Sequence, residues 1–308
     1  MKEEKRRGIN FNQGGAAKKK INNNICGFFE DKIIISKDIN IKERKNNNKM
    51  KINNRLIIIY IIINLIILSN NNIIKYSNIT LKIKGRGYNN IFTSSGSICS
   101  SGFNSENYPN EIYINGKKQN NISNNYYFND TDNFIELIWN NNINNCGCMF
   151  YDCSNITEID LSHFDVSQVT DMENMFRNCI SLTSLNLSNF NALQVTNTNY
   201  MFRNCKSLTS LDLFYFNTSK VTKMEHMFKN CITLNSLDLS RFDTSQVTRM
   251  NRMFENCISL ISLDLSNFNT SKVKWMNHMF YNCISLTSLD LSNFDSSQVT
   301  SIHYIFLY

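Results

Sequence analysis

Hydrophobic and polar positions repeat every 26 residues from Met149 to the end of the chain. Each unit opens with a Met-Phe pair, and Ile305-Phe306 opens a seventh unit. The pairs are Met149-Phe150, Met175-Phe176, Met201-Phe202, Met227-Phe228, Met253-Phe254 and Met279-Phe280. A fixed period of this length predicts a solenoid, in which each turn packs only on its neighbours.

We number the positions of the unit as columns 1 to 26, starting from the Met of each pair. Columns 8, 11, 13 and 16 are apolar and alternate with polar residues, as in Leu182, Leu185, Leu187 and Phe190. This predicts a leucine-rich-repeat strand with one buried face. After a turn, columns 21, 24, 1, 2 and 5 carry apolar residues at spacings of three and four, which predicts a short amphipathic helix. The expected fold class is therefore α/β, a leucine-rich-repeat-type solenoid with one strand and one helix per turn.

Like residues of successive turns are expected to stack in ladders, because neighbouring strands lie about 4.8 Å apart. The asparagine of column 4 is expected to hydrogen-bond the backbone of its turn, and the Met, Phe and Cys columns are expected to pack the core. The column 16 ladder consists of Phe164, Phe190, Phe216, Phe242, Phe268 and Phe294. The column 5 ladder consists of Cys153, Cys179, Cys205, Cys231, Cys257 and Cys283.

Three segments precede the solenoid, which is predicted over residues 134–308. Residues 1–49 are rich in Asn and Lys and predict disorder; they need not be translated if Met50 is the start. Residues 50–69 contain the apolar run Leu56–Leu68, about 20 Å long as a helix against roughly 30 Å of bilayer. That run predicts a cleaved signal peptide, or a signal anchor holding the chain in a membrane if Met1 is the start. The alternative is a buried segment of a soluble domain.

Residues 70–133 predict a small β-rich module that covers the first turn. Ile79, Leu81 and Ile83 alternate with polar residues, and Asn115-Gly116 predicts a type I′ hairpin turn. Tyr126–Phe128 is a further predicted strand. Phe134–Cys148 resembles a degenerate first repeat, as terminal repeats often are.

The charge is unevenly distributed along the chain, whose net charge is +7. Residues 1–55 hold 15 Lys and Arg against 6 Asp and Glu, a balance of +9, and the remainder holds 17 against 19, a balance of −2. A nucleic-acid-binding surface needs basic residues gathered on the folded part. We therefore expect no nucleic-acid partner.

The string MF-x-NC-x-SL-x-SLDLS-x-F-x-TS-x-VT-x-M resembles the repeat of BspA-like leucine-rich-repeat surface proteins. The resemblance covers Phe134–Tyr308 and implies a surface protein used in adhesion or partner binding, without catalytic residues. Thr198 departs from the Met of other copies and Phe214 from the usual Ser. No polar closing repeat follows Phe306, so we expect a truncated coding sequence or an open end that packs on something else.

The ten cysteines and four histidines do not predict a metal or catalytic centre. Cys146, Cys148 and Cys153 lack the fourth ligand of a structural zinc site. Cys99 with Cys146 or Cys148 is a candidate disulfide. No phosphate-binding loop or nucleophile elbow is present. We expect no cofactor, no metal and no enzymatic activity.

Columns 23, 26 and 3 vary most between copies and, spaced by three, share one face of the predicted helix. The hypothesis is that this aromatic and basic stripe binds a ligand; the alternative is an ordinary solvated face. Its candidate residues are Tyr200, Arg203, His226, Lys229, Arg249, Arg252, Trp275, His278 and Tyr281.

The sequence thus predicts a secreted or cell-surface protein that serves adhesion or interaction. If the run Leu56–Leu68 is not cleaved, it is expected to hold the protein at the membrane. Its expected partner is a protein or a surface glycan. The alternatives are an intracellular structural scaffold and an accessory domain of a larger surface protein.

Overall fold

The structure of the protein is a computed structural model that describes residues 77–93 and 102–306. The chain divides into the units Met1–Ile73 and Ile74–Tyr308, and every described residue belongs to the second. The predictions for residues 1–49 and for Leu56–Leu68 lie outside the described residues. Within the described ranges, no helix has the length and apolar character needed to cross a bilayer.

The segment before the repeats forms a small β module. The predicted strand around Leu81 is confirmed, with a buried face that packs into the core. The predicted hairpin is also confirmed: Asn115 and Gly116 have φ angles of 49° and 75°, as a type I′ turn requires. Tyr126–Phe128 lies within a strand as predicted. The strands of the module are β1 (Ser77–Lys84), β2 (Gly87–Asn90), β3 (Glu111–Ile114), β4 (Lys117–Lys118), β5 (Asn125–Phe128) and β6 (Asp132–Trp139).

The β module and the repeats share one six-stranded sheet and one hydrophobic core. The strand order is β4-β3-β6-β1-β7-β8, where β7 (Ile156–Asp160) and β8 (Ser184–Asn186) belong to the first two repeats. Strand β1 runs antiparallel to both β6 and β7, whereas β7 and β8 are parallel. Trp139 of β6 packs edge-on against Phe164, with ring centroids 5.0 Å apart. The module therefore covers the apolar face of the first repeat.

Each later repeat contributes a very short parallel strand. Columns 10 and 11 pair with the same columns of the neighbouring repeat, as Leu237 does with Leu211. Because each column pairs with the same column of its neighbour, successive repeats lie directly on top of one another. The strands are β9 (Ser210–Leu211), β10 (Ser236–Leu237), β11 (Ser262–Leu263) and β12 (Ser288–Leu289).

The prediction of one helix per repeat, and with it the α/β fold class, is wrong. The described residues contain no α-helix, and their one helical element is the 3-10 helix Ser105–Asn107. In columns 24 to 4, alternate backbone N–H groups donate to the next repeat instead of to their own unit. In one copy, Met224, His226, Phe228 and Asn230 donate to the carbonyls of Arg249, Asn251, Met253 and Glu255 at 2.8–3.0 Å.

The intervening N–H groups close four-residue β-turns within the unit. Met227, Lys229 and Cys231 each donate to the carbonyl three residues earlier. His226 and Asn230 have φ angles of 57° and 61°, which is the left-handed region at the third position of a type II turn. Such consecutive turns bury side chains at spacings of three and four, as a helix does. The hydrophobic period alone therefore could not distinguish the two structures.

The inward-facing residues form continuous ladders along the stack. The column 2 phenylalanine rings stack on each other with centroids 5.4–5.8 Å apart and nearly parallel planes. In column 16, Phe164 to Phe268 are buried and Phe294 is half-buried. The column 5 cysteines are free and buried, and Cys179 to Cys283 donate their S–H groups to column 2 carbonyls of the preceding repeat at 3.0–3.2 Å.

The column 4 asparagines form a side-chain ladder, which corrects the expectation that they bond the backbone. Each amide Nδ2 donates to the side-chain oxygen of the preceding repeat, from Asn282 down to Asn178, which donates to Asp152. Their backbone is left-handed, with φ angles of 57–65°. Asparagine tolerates that conformation better than most residues. The column therefore combines a turn residue with an interrepeat hydrogen bond.

Candidate recognition surface

Columns 26 and 3 place their side chains on the same outer face of the stack. They are the first and fourth residues of one turn, as the hydrogen bond from the Arg203 N–H to the Tyr200 carbonyl shows, at 3.0 Å. We call the side chains of these two columns, from Tyr151 to Tyr304, the outer row. The shared face predicted from the spacing of three thus arises from a turn and not from a helix.

Tyrosines and arginines interleave in the first half of the outer row. The Arg177 guanidinium lies 5.4 Å from the Tyr151 ring and 5.4 Å from the Tyr200 ring, and the Arg203 guanidinium lies 5.6 Å from Tyr200. The Tyr200 ring stacks on His226, with centroids 4.5 Å apart. These contacts are cation–π and ring-stacking interactions that fix the planes of both arginines.

A buried ion pair continues the outer row. Lys229 Nζ lies 2.7 Å from Glu255 Oε1, and each side chain is only 11% exposed. Arg252 Nε approaches the other Glu255 oxygen at 3.6 Å. One carboxylate therefore serves two cations. Breaking such a pair from one side is costly, because the remaining charge stays buried.

The outer row ends in aromatic side chains. His278 lies with its ring centroid 5.6 Å from Tyr281 and 5.2 Å from Tyr304. Both contacts are tilted, and Tyr304 is exposed. At this end aromatic rings contact one another, whereas at the other end guanidinium groups contact tyrosine rings.

Arg249 and Trp275 of column 23 lie in a separate row. The Arg249 guanidinium is 4.5 Å from the Trp275 ring, and its Nη1 is 3.5 Å from Glu225 Oε2. Column 23 forms isolated bridges between repeats and does not close a turn with column 26. The nine candidate residues of the stripe therefore form two sets, with Arg249 and Trp275 apart from the other seven.

The centre of the outer row is electropositive. Burial lowers the pKa of His226 to about 3, and the neighbouring cations Lys229, Arg203, Arg252 and Arg177 act in the same direction. The pKa of Arg203 is also lowered, first by burial and then by Arg177. His226 is therefore neutral at pH 7.

Sequence reasoning missed Tyr151 and Arg177, which belong to the cluster around Tyr200. Both occupy column 3, the same column as Arg203, so the variation between copies was a sufficient signal. It also missed Glu225 and Glu255 as partners of the basic residues. Their pairing depends on contacts between neighbouring repeats.

Apart from the outer row, a groove lies on the exposed face of the six-stranded sheet. This groove encloses about 610 Å³ and is lined in part by Lys82, Phe134 and Glu158. The Lys82 ammonium is 3.1 Å from Glu158 Oε1 and 5.8 Å from the Phe134 ring. The charge of Lys82 is thus already paired within the groove.

The cysteine chemistry of the described residues is limited. Cys146 and Cys153 are free and buried, and burial raises the pKa of both thiols. Cys148 is disulfide-bonded. Cys99, its candidate partner predicted from the sequence, lies outside the described residues. In the described part of the chain, no three His, Cys, Asp or Glu side chains gather closely enough to hold a metal ion.

An all-β stack of short repeats with a varied outer row defines the chain as a repeat protein. It belongs to the family described as "Mycoplasma protein of unknown function, DUF285", whose model matches residues 120–214 and 209–308, more than half of the chain. This match does not confirm the likeness to BspA-like leucine-rich-repeat proteins. No curated protein and no solved structure matches the chain.

Proposed function

We propose that the protein is a non-enzymatic binding protein, secreted or attached to the cell surface, whose outer row contacts a protein or a surface glycan. In this proposal the likeness of the repeat to BspA-like surface proteins reflects a shared role in adhesion. The repeat stack supplies a rigid platform, and the outer row supplies the contacts.

The observation that carries the proposal is that the inward columns of the repeat are nearly constant, whereas the columns of the outer row vary. The inward Met, Phe and Cys columns hardly change between copies, whereas columns 26 and 3 carry aromatic, basic, acidic and amide side chains in different copies. The packing that holds the stack together does not need that variation. Aromatic residues and arginine, which dominate the outer row, are also the residues enriched at binding hot spots.

The disulfide at Cys148 supports an oxidising compartment, because such bonds are rare in the reducing cytosol. The free cysteines of column 5 are compatible with it. Burial raises the pKa of the Cys231 thiol to about 12, so the reactive thiolate is scarce at neutral pH. Buried thiols can therefore persist next to an oxidised pair.

The first test concerns location. Intact native cells are treated with a membrane-impermeant biotin reagent, and the protein is isolated for intact mass and N-terminal sequencing. We expect labelling on intact cells and a chain that begins near Ser69 or Asn70. Labelling only after lysis, with the apolar run retained and the protein in the soluble fraction, would support the intracellular scaffold instead.

The second test concerns the surface that binds. The labelled full chain is applied to a glycan array and to intact cells, alongside a variant with the outer-row residues Tyr200, Tyr281 and Tyr304 replaced by Ala. We expect that variant to lose binding. A control with Phe214 and Tyr215 replaced by Ala removes exposed aromatic area from another turn and should bind normally. Equal binding by all three proteins would exclude the candidate aromatic surface.

A further inference from the structure

Buried polar atoms without a partner concentrate in one part of the stack. Six such side-chain atoms occur among the described residues, and five of them belong to columns 25, 26 and 3. Three are nitrogen atoms around Tyr200: Nε of Arg177, Nε of Arg203 and Nδ1 of His226. A buried polar group without a hydrogen bond is destabilising, so each one calls for a partner.

The charges around Tyr200 are also unbalanced. Lys229 and Arg252 share Glu255, but the described ion pairs include no carboxylate bound to Arg177 or Arg203. Arg177 Nη1 donates to the Asn174 amide oxygen at 3.1 Å, a neutral partner. The nearby carboxylate of Asp152 accepts from the Asn178 amide. Among the described residues, these two adjacent half-buried guanidinium groups thus have no carboxylate within ion-pair distance.

The guanidinium group of Arg177 lies between two tyrosine rings. Its Cζ is 5.4 Å from both the Tyr151 and the Tyr200 ring centroids, and its Nε is buried, so its terminal Nη groups are the donors that remain for a ligand. A guanidinium edge presents paired donors that match the two oxygens of a carboxylate, sulfate or phosphate group. The same column of the next repeat places Arg203 about 5 Å further along the stack.

We infer that Arg177 and Arg203 form a two-point site for the anionic groups of a linear acidic polysaccharide that runs along the stack. This inference rests on the proposed binding function and names the ligand class of the outer row. Each guanidinium takes one sulfate or carboxylate of the polymer. The anionic groups then neutralise two guanidinium charges that no described ion pair balances in the free protein.

The backbone of the outer row argues against an extended peptide as the ligand. An added strand needs free N–H and C=O groups along an edge. Here the N–H groups of columns 24, 26, 2 and 4 donate to the next repeat, and those of columns 1, 3 and 5 close turns. Only side chains remain for recognition.

The ring contacts argue against a single-stranded nucleic acid. Such ligands stack their bases on open aromatic faces. The Tyr200 ring already stacks on His226 and contacts both arginines, so it offers no free face of that kind.

The test measures binding of the full chain to a sulfated heparin hexasaccharide by calorimetry. The variants are Arg177→Gln and Arg203→Gln, and the control is Arg241→Gln, an exposed arginine whose guanidinium lies 4.6 Å from Phe214 on another turn. We expect each outer-row variant to weaken binding about tenfold or more and the control to leave it unchanged. Arg177→Lys, which keeps the charge but not the planar fork, should fall between wild type and Arg177→Gln.

Three further ligands separate the outcomes. The desulfated hexasaccharide should bind weakly, and poly-glutamate and a single-stranded oligonucleotide should bind no better than it does. Equal weakening by Arg241→Gln would mean that binding follows net charge, and equal binding of poly-glutamate would refute the saccharide assignment. If the hexasaccharide fails while binding to intact cells still depends on Tyr200, the ligand class is wrong but the proposed function stands.

Discussion

Replacing Asn230 separates the two roles of the column 4 asparagines. Its Nδ2 donates to Asn204 Oδ1 at 2.6 Å, its Oδ1 accepts from Asn256 Nδ2 at 2.6 Å, and its φ angle is 61°. Any side chain without an amide loses both hydrogen bonds. Any residue other than glycine, and to a lesser degree Asn or Asp, is strained in the left-handed region.

The expected sizes follow from those two terms. Loss of two amide hydrogen bonds costs about 1–3 kcal/mol. A left-handed alanine adds about 1–2 kcal/mol, which glycine avoids. Asn230→Ala should therefore lower the free energy of unfolding by about 2–5 kcal/mol. Asn230→Gly should be less destabilising by about 1 kcal/mol, although glycine normally costs stability.

The measurement is urea-induced unfolding of the full chain, followed by tryptophan fluorescence. Asn267 provides the matched control, because it is an exposed asparagine whose Nδ2 also bonds a neighbouring repeat, at 3.1 Å to the Ser240 carbonyl. Its φ angle is not positive, so glycine should be worse than alanine there. If alanine were tolerated better than glycine at both positions, the left-handed backbone assigned to column 4 would be wrong.

Three other predictions concern buried polar groups. Because the pKa of folded His226 is about 3 and an unfolded histidine titrates near 6.5, stability should fall as pH drops from 6.5 toward 3. His226→Gln should remove part of that decline; identical pH slopes would contradict it. Lys229→Met should cost about 3–5 kcal/mol in the urea assay, and adding Glu255→Met should recover at least part of the loss. Costs that simply add would argue against the buried pair. Iodoacetamide at pH 8 should modify Cys231 only after unfolding, because burial raises its pKa to about 12; rapid labelling of the native protein, followed by mass spectrometry, would refute this.

Much of the stack could be predicted because its period is long and regular. Every column expected to point inward is buried through the middle repeats, and the Asn115-Gly116 hairpin lies where its turn chemistry placed it. These features depend on which residues alternate and on which residues tolerate a positive φ angle. Both kinds of information are local in the sequence.

The helix prediction failed because spacing does not specify where backbone N–H groups go. Consecutive turns and a helix both bury residues three and four apart, but in columns 24 to 4 alternate N–H groups cross to the next repeat. The available signal is the asparagine of column 4, a residue typical of left-handed turn positions. From the sequence alone, this asparagine is instead expected to bond the backbone. The side-chain ladder from Asp152 to Asn282 could not be predicted, because it requires the exact offset between repeats.

The outer row was predicted only in part for the same reason. Copies of the unit show which columns vary, and this identified Tyr200, Arg203 and His226. They do not show that column 23 lies in a separate row. Arg249 and Trp275 can be distinguished from the residues of the common face only when the boundaries of the turns are known. Nor do they show which charged side chains form ion pairs with residues of the next repeat.

Some charged side chains of the outer row form ion pairs and others do not, and this pattern is what selection for ligand binding would produce. A stack held together by Phe, Met and Cys ladders needs nothing from columns 26 and 3, so surface residues there could have been small and neutral at little cost. Instead the row contains a buried Lys229–Glu255 pair and, in the two repeats before Lys229, Arg177 and Arg203, which form no ion pair with a described carboxylate. Repulsion between these two guanidinium groups reduces stability in the free protein. An anionic ligand converts that cost into binding free energy, because it supplies the counter-charge that the fold withholds.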